Sequence, residues 1–226
     1  MTVMHAKAHA NGPILDSWTL HNGDPAHMTV QDGGGLIRRY DREAGPAGTV
    51  RVHQEDLCQA LGRPPERKHQ QEGGPTVREC VALLREWSST PVLDILAFVD
   101  ASIFNALIGN ADAHGKNYAM IYASGRRRLA PLYDLVSTIA WPELSTRLAM
   151  NIGHGKSVND INPAHFKRLA EECDLGWPMV RERIGGLAGR TMDVVKAVES
   201  TGNAPTPNIT ARIADVIQNR CERMRQ

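Results

Sequence analysis

Two carboxylates and a carboxamide stand at spacings that suit phosphoryl transfer. Asp112 lies five positions before Asn117 within Asn110-Ala111-Asp112-Ala113-His114-Gly115-Lys116-Asn117, and Asp134 follows in Pro131-Leu132-Tyr133-Asp134. Phosphoryl transfer asks a protein for positioning and electrostatics more than for covalent chemistry. Asp112 suits a general base or a group that orients a hydroxyl. Asn117 and Asp134 are hard oxygen donors of the kind Mg²⁺ accepts alongside phosphate and water. His114 and Lys116 sit between them, placed to donate to phosphate oxygens or developing negative charge. The same residue types also build ordinary loops, since Asp, Asn and Gly favour turns. On the pattern alone, phosphoryl transfer, metal-dependent hydrolysis and a structural turn all stay open.

These residues need elements to carry them. Leu93, Leu96, Ala97, Phe104, Leu107 and Ile108 keep helical spacing after Thr90-Pro91. This predicts a buried helix with Thr90 as N-cap, ending at Gly109 and delivering the Asp112 loop. Residues 118–123 are predicted as a strand, 124–127 as a turn, and 128–132 as the returning strand that brings in Asp134. Upstream, Thr76-Val77-Arg78-Glu79 has capping-box form and opens a helix to Ser88. Residues 53–61 predict a short amphipathic helix stopped by Gly62, and Leu36-Ile37 opens a short strand that turns polar by Arg42. Downstream helices are predicted over 163–173, over 178–200 with a weak point at Gly185-Gly186, and over 208–224. Residues 1–35 lack apolar periodicity and are expected to be poorly ordered. Their histidines His5, His9, His21 and His27 fit no metal-ligand spacing.

Composition narrows the function classes. The chain has 226 residues and a net charge of +1, so it can bury a core unaided, and its global charge argues for neither nucleic acid nor a membrane surface. Cys58, Cys80, Cys173 and Cys221 show no CxxC spacing, which suits reduced, buried thiols. The start has no apolar signal core, and the apolar run 91–108 is interrupted by Asp94, Asp100 and Asn105. The expectation is a soluble cytoplasmic protein. Arg126-Arg127-Arg128 falls at a hairpin tip without interleaved aromatics, so a solvated turn is expected there and no direct nucleic-acid contact. His154-Gly155-Lys156-Ser157 lacks the earlier glycine of a phosphate loop.

The chain resembles the HipA-like serine/threonine kinases, the toxin components of bacterial toxin–antitoxin pairs. The resemblance rests on Tyr40-Asp41-Arg42, Gln54-Glu55-Asp56-Leu57-Cys58-Gln59-Ala60-Leu61-Gly62, Gly73-Gly74-Pro75, and Leu107-Ile108-Gly109 running into the Asp112 loop. It continues through Pro131-Leu132-Tyr133-Asp134-Leu135-Val136-Ser137-Thr138, Leu148-Ala149-Met150 and Pro163-Ala164-His165-Phe166. It implies a mainly α (α+β overall), protein-kinase-like C-lobe over 36–226, with a small β hairpin carrying metal-ligand residues, and a non-family segment over 1–35. By the same resemblance Asp112 is the catalytic-loop aspartate, Asn117 and Asp134 are Mg²⁺ ligands, and His114 lies near the nucleotide phosphates. Tyr40 and Asp41 form the hinge beside adenine and ribose.

The implied cofactors are ATP and Mg²⁺, and the implied partners are a HipB-like DNA-binding antitoxin and a protein substrate such as an aminoacyl-tRNA synthetase. Complete members carry an N-lobe with a glycine-rich loop and a strand lysine, and neither is recognisable here. The resemblance therefore implies a C-lobe that is weak or inactive alone. Two rival functions remain: a non-catalytic module binding an antitoxin or a separate N-lobe, and a Mg²⁺-dependent phosphohydrolase.

Overall fold

The computed structural model describes residues 28–31, 34–37, 40–46, 48–201 and 207–226, with side chains from Tyr40 onward. The expectation of a poorly ordered segment over 1–35 lies outside these residues except for a hairpin of β1 (Met28–Gln31) against β2 (Gly34–Ile37). His5, His9, His21 and His27 lie outside them too. A second hairpin, β3 (Arg42–Gly45) with β4 (Gly48–Arg51), leads into β5 (His53–Asp56) and the short helix α1 (Leu57–Ala60). The helix expected over 53–61 is thus half strand. Asp56 divides it, because its carboxylate accepts from Gln59 N at 2.9 Å while the Gln59 side chain accepts from Asp56 N at 3.0 Å.

Helix α2 (Val77–Trp87) opens on the expected capping box: Thr76 Oγ1 accepts from Glu79 N at 3.1 Å, and Glu79 Oε2 accepts from Thr76 N at 2.9 Å. Helix α3 (Pro91–Ile108) is the core of the domain, with Phe98, Ile103, Phe104 and Leu107 fully enclosed. By length and composition it could cross a membrane, but 72% of it is buried inside the protein. Its polar residues are satisfied internally: Asp94 faces Arg128 Nη2 at 3.1 Å and accepts from Leu129 N at 2.9 Å, and Asp100 pairs with Arg183. Thr90 occupies the N-cap position without capping, since its hydroxyl makes no cap bond. The Thr90 N–H instead donates to Ser88 Oγ at 2.9 Å, and Ser88 in turn donates to Asp94.

Strands β6 (Ala119–Ala123) and β7 (Arg126–Leu129) complete a three-stranded antiparallel sheet in the order β5-β6-β7. Their turn has only two residues, Ser124 and Gly125, both at positive φ (50° and 71°). Such a turn matches the twist of a hairpin, and it starts the returning strand two residues earlier than the sequence suggests. Asp134 consequently lies in the loop beyond β7 and not on the strand.

A fourth hairpin, β8 (Arg147–Ile152) with β9 (Gly155–Ser157), precedes α4 (Pro163–Glu172). The Gly-Lys-Ser triplet is therefore a strand and not a phosphate loop. Asn162 caps α4 by accepting from Ala164 N at 3.0 Å. Helices α5 (Trp177–Thr201) and α6 (Pro207–Arg225) pack on each other and on α3. Helix α5 runs unbroken through Gly185-Gly186, because the flanking Ile184, Leu187 and Ala188 are buried and their packing outweighs the low propensity of glycine. All four cysteines are free and buried. Burial pushes Cys58 and Cys173 up to about 11 and Cys221 up to about 12, which makes them inert hydrophobes.

Candidate active site

The buried end of α3 sets the position of the Asp112 loop. Gly109 caps the helix at φ +72°, and a Cβ there would lie 2.5 Å from Ile139 Cγ1, so the sharp exit requires glycine. Asn110, 2% exposed, is the bracket of the loop. Its Nδ2 donates to Asn105 Oδ1 at 2.8 Å and to Asp134 O at 3.3 Å, while its Oδ1 accepts from Asp112 N at 3.1 Å. Asn105 donates onward to the Tyr118 hydroxyl at 3.0 Å. Thr138 Oγ1 accepts from Ala111 N at 2.8 Å and donates to Gly109 O at 3.1 Å. A fully partnered buried network of this kind holds a loop in one arrangement.

The metal-ligand candidates meet directly. Asn117 Nδ2 donates to Asp134 Oδ2 at 2.8 Å, and Asn117 Oδ1 accepts from His114 N at 3.0 Å. Asp134 holds φ +56°, a left-handed backbone that Asp tolerates better than most residues. The turn Gly115–Asn117 lies so close to its neighbours that a Cβ on Gly115 would sit 2.8 Å from Pro75 Cγ and 2.9 Å from Cys58 Sγ. This contact explains why the Gly73-Gly74-Pro75 and Cys58 segments accompany the loop.

Asp112 keeps its side chain 51% exposed, with Oδ2 4.0 Å from His114 Nε2. His114 is buried, and that burial holds it below the ordinary histidine value against the opposing charge of Asp112. Its Nδ1 is buried without a partner. Lys116 is half-buried; its carbonyl accepts from the Tyr133 hydroxyl, and its ammonium lies near enough to Cys58 to oppose the rise of that thiol. Tyr133 stacks on Tyr40 at 6.2 Å between ring centroids, and Asp134 is the next residue in the chain. The Tyr40 hydroxyl donates to Gln54 Oε1. Asp41 turns inward at 1% exposure and pairs with Arg42, while its carbonyl accepts from Val52 N at 2.9 Å. Asp112, His114, Asn117 and Asp134 therefore converge, Tyr40 borders them through Tyr133, and Asp41 holds the start of the β3–β4 hairpin from inside.

Asn110 and Thr138 stand inside the motifs quoted above but carry no role there, and Lys68 and His69 fall outside those motifs altogether. His69 Nε2 lies 2.9 Å from Asp112 Oδ1, and Lys68 Nζ lies 3.8 Å from the same oxygen. The signal for His69 and Lys68 is the Gly73-Gly74 pair that shapes their loop. Beside Asp112 opens a cavity of about 320 Å³ lined by His69, Glu72, Asp112, Leu144, Arg147 and Leu148.

The residues fit a hard divalent cation. The second lone pair of Asn117 Oδ1 and the Asp134 carboxylate remain as donors after the bonds given above. Among the described residues no three His, Cys, Asp or Glu side chains cluster around a metal position. Mg²⁺ tolerates so sparse a protein shell because phosphate and water complete it.

Known proteins give the family and the fold. A family model described as the HipA-like C-terminal domain matches residues 4–199. A Sinorhizobium fredii protein named "Putative kinase Y4mE" is 46% identical over 164 residues, covering 72% of this chain and 39% of that protein. "Putative kinase Y4dM" of the same organism is 30% identical over 182 residues, covering 80% of this chain and 41% of that protein. The Shewanella oneidensis "Serine/threonine-protein kinase toxin HipA" is 34% identical over 137 residues, covering 55% of this chain and 32% of that protein. The chain thus spans less than half the length of these relatives. A chain of the Shewanella oneidensis complex of HipA, HipB and operator DNA shares the fold, with a TM-score of 0.78 at 24% identity over 88% of this chain and 51% of that one. With a family match across most of its length, this chain belongs to the HipA-like C-terminal domain family.

Proposed function

We propose that Asp112, Asn117 and Asp134 form the acceptor and metal half of an ATP- and Mg²⁺-dependent serine/threonine protein kinase centre of the HipA type. The observation that carries this reading is the 2.8 Å Asn117–Asp134 contact set beside a half-exposed Asp112 on one buried scaffold. Mg·ATP, when bound, supplies the phosphoryl group. Asn117 Oδ1 and the Asp134 carboxylate would hold the cation. Asp112 would accept a hydrogen bond from the acceptor hydroxyl and take its proton as the oxygen attacks. In this reading His114 and Lys116 would face the phosphates, and Tyr40 would face the purine.

The family further suggests a HipB-like DNA-binding antitoxin as partner and a translation protein such as an aminoacyl-tRNA synthetase as acceptor, in the cytoplasm. The arginine-rich hairpin is otherwise engaged, Arg128 with Asp94 and Arg127 over the Trp87 ring at 5.3 Å, which favours a partner other than nucleic acid for this chain. Phosphate positioning from a second lobe would be needed for full turnover.

Incubation with γ-labelled ATP and Mg²⁺, followed by separation of labelled protein from free phosphate, tests the reading. We expect faint protein labelling by this chain alone, abolished in Asp112→Asn and Asp134→Asn, and raised by adding the remaining length of a related kinase as a separate N-lobe. Free phosphate without labelled protein would identify a phosphohydrolase, and neither product in any mixture would identify a non-catalytic module.

A further inference from the structure

His69 sits between two carboxylates, with Nε2 2.9 Å from Asp112 Oδ1 and Nδ1 3.1 Å from Glu72 Oε2. A lone surface contact of this kind would contribute little. This one is built. Residues 67–74 form a tight turn in which Glu72 N and Gly74 N both donate to His69 O at 2.9 Å. Gly73 takes φ +85°, and a Cβ on Gly74 would lie 2.6 Å from Arg67 O and 2.7 Å from His69 O, so the turn closes only with glycine there. Gln70 Oε1 accepts from Asn151 N at 2.8 Å and fixes the turn to β8. The His69 ring also meets His114 edge-on at 5.8 Å.

A carboxylate carries two oxygens that compete for donors. With Oδ1 of Asp112 engaged by His69 and approached by Lys68 Nζ at 3.8 Å, Oδ2, which has His114 Nε2 only at 4.0 Å, is the oxygen left for an incoming hydroxyl. Resting on the kinase reading above, we propose that His69, backed by Glu72, is a positioning residue that locks the Asp112 carboxylate and presents Oδ2 to the acceptor hydroxyl. The loop ending in Gly73-Gly74-Pro75 exists to deliver that ring. The side-chain partners of His69 are Asp112, Glu72 and the His114 ring, and neither Asn117 nor Asp134 is among them, so its effect falls on the rate of transfer and not on nucleotide binding. Misplacing a reacting group by about 1 Å costs on the order of 100-fold.

The test compares the full chain with His69→Ala and with His69→Gln, whose side-chain amide can donate the same bond to Asp112. The first readout needs no activity: the β-proton couplings of Asp112 report whether its χ1 is fixed or averaged. We expect one rotamer in the wild type and in His69→Gln, and averaging in His69→Ala at an unchanged fold by amide spectrum. A single unchanged Asp112 rotamer in His69→Ala overturns the proposal. The second readout is label transfer with added N-lobe: kcat should fall by ~10- to 100-fold in His69→Ala with KM for Mg·ATP unchanged, and recover in His69→Gln. Equal kcat in wild type and His69→Ala also overturns it. Absence of transfer by the wild type would count against the kinase reading, while the rotamer comparison would still decide the role of His69.

Discussion

The two borders of the candidate cleft are built in opposite ways. On one side, residues 109–117 are held by buried side-chain bonds from Asn110, Asn105 and Thr138 and stand on the fully enclosed end of α3. On the other, the β3–β4 hairpin behind Tyr40 is open to solvent along β4, with Val50 53% exposed. The side that carries Asp112 and Asn117 is anchored from within, and the side next to Tyr40 is a surface ribbon. Electrostatic catalysis rewards preorganised groups, whereas stacking tolerates adjustment.

Breaking the anchored side should cost the most. Gly109→Ala must strain a left-handed position and push into Ile139, and we expect a loss of about 3 kcal/mol in urea unfolding. Asn110→Ala leaves Asn105 and the Asp112 N–H without their partner, with an expected loss of about 2 kcal/mol and a disordered Asp112 loop by NMR. Next in size is the capping box on α2, which braces neither border directly. Burial pushes the Glu79 carboxyl up, but bonds from Thr76 and the charge of Arg63 outweigh this and hold it below the usual 4.5. A carboxyl lowered in the folded state stabilises above the unfolded value and loses that contribution as pH falls through the folded one. Gln at this position keeps the capping-box acceptor and loses only the partly solvent-screened charge, so Glu79→Gln should cost about 0.5 kcal/mol at pH 7 and progressively less below pH ~4.5 in pH-resolved unfolding. On the open side, Val50→Thr should change stability by less than ~0.5 kcal/mol, and a larger loss would erase the contrast.

Much of this contrast was legible in the chain. Helical spacing located α2, α3, α4 and α6, because a one-sided apolar stripe is written directly in residue order. The Asp112–Asn117 spacing and Asp134 located the polar centre, and their convergence follows from the short hairpin between them. Three features were not legible. The Asp56–Gln59 capping box that splits 53–61 into strand and helix resembles ordinary amphipathic periodicity. The Ser124-Gly125 turn, with both residues left-handed, moved β7 and left Asp134 in a loop. His69 stands 43 residues before Asp112, and only tertiary packing through Gly115, Pro75 and β8 brings them together. Buried network partners such as Asn110 and Thr138 escape for the same reason, since a polar residue facing inward has no periodic signature.

The central claim is that Asn117 and Asp134 together hold a divalent cation on nucleotide phosphates. Substituting Mn²⁺ for Mg²⁺ with ATP and following paramagnetic broadening by NMR tests it most directly. Selective broadening of the Asn117 side-chain amide and the Asp134 backbone amide is expected, lost in Asp134→Ala, with the β3–β4 turn unaffected. Broadening centred on another part of the protein, or none at Asn117 and Asp134 with Mn·ATP in excess, would contradict it.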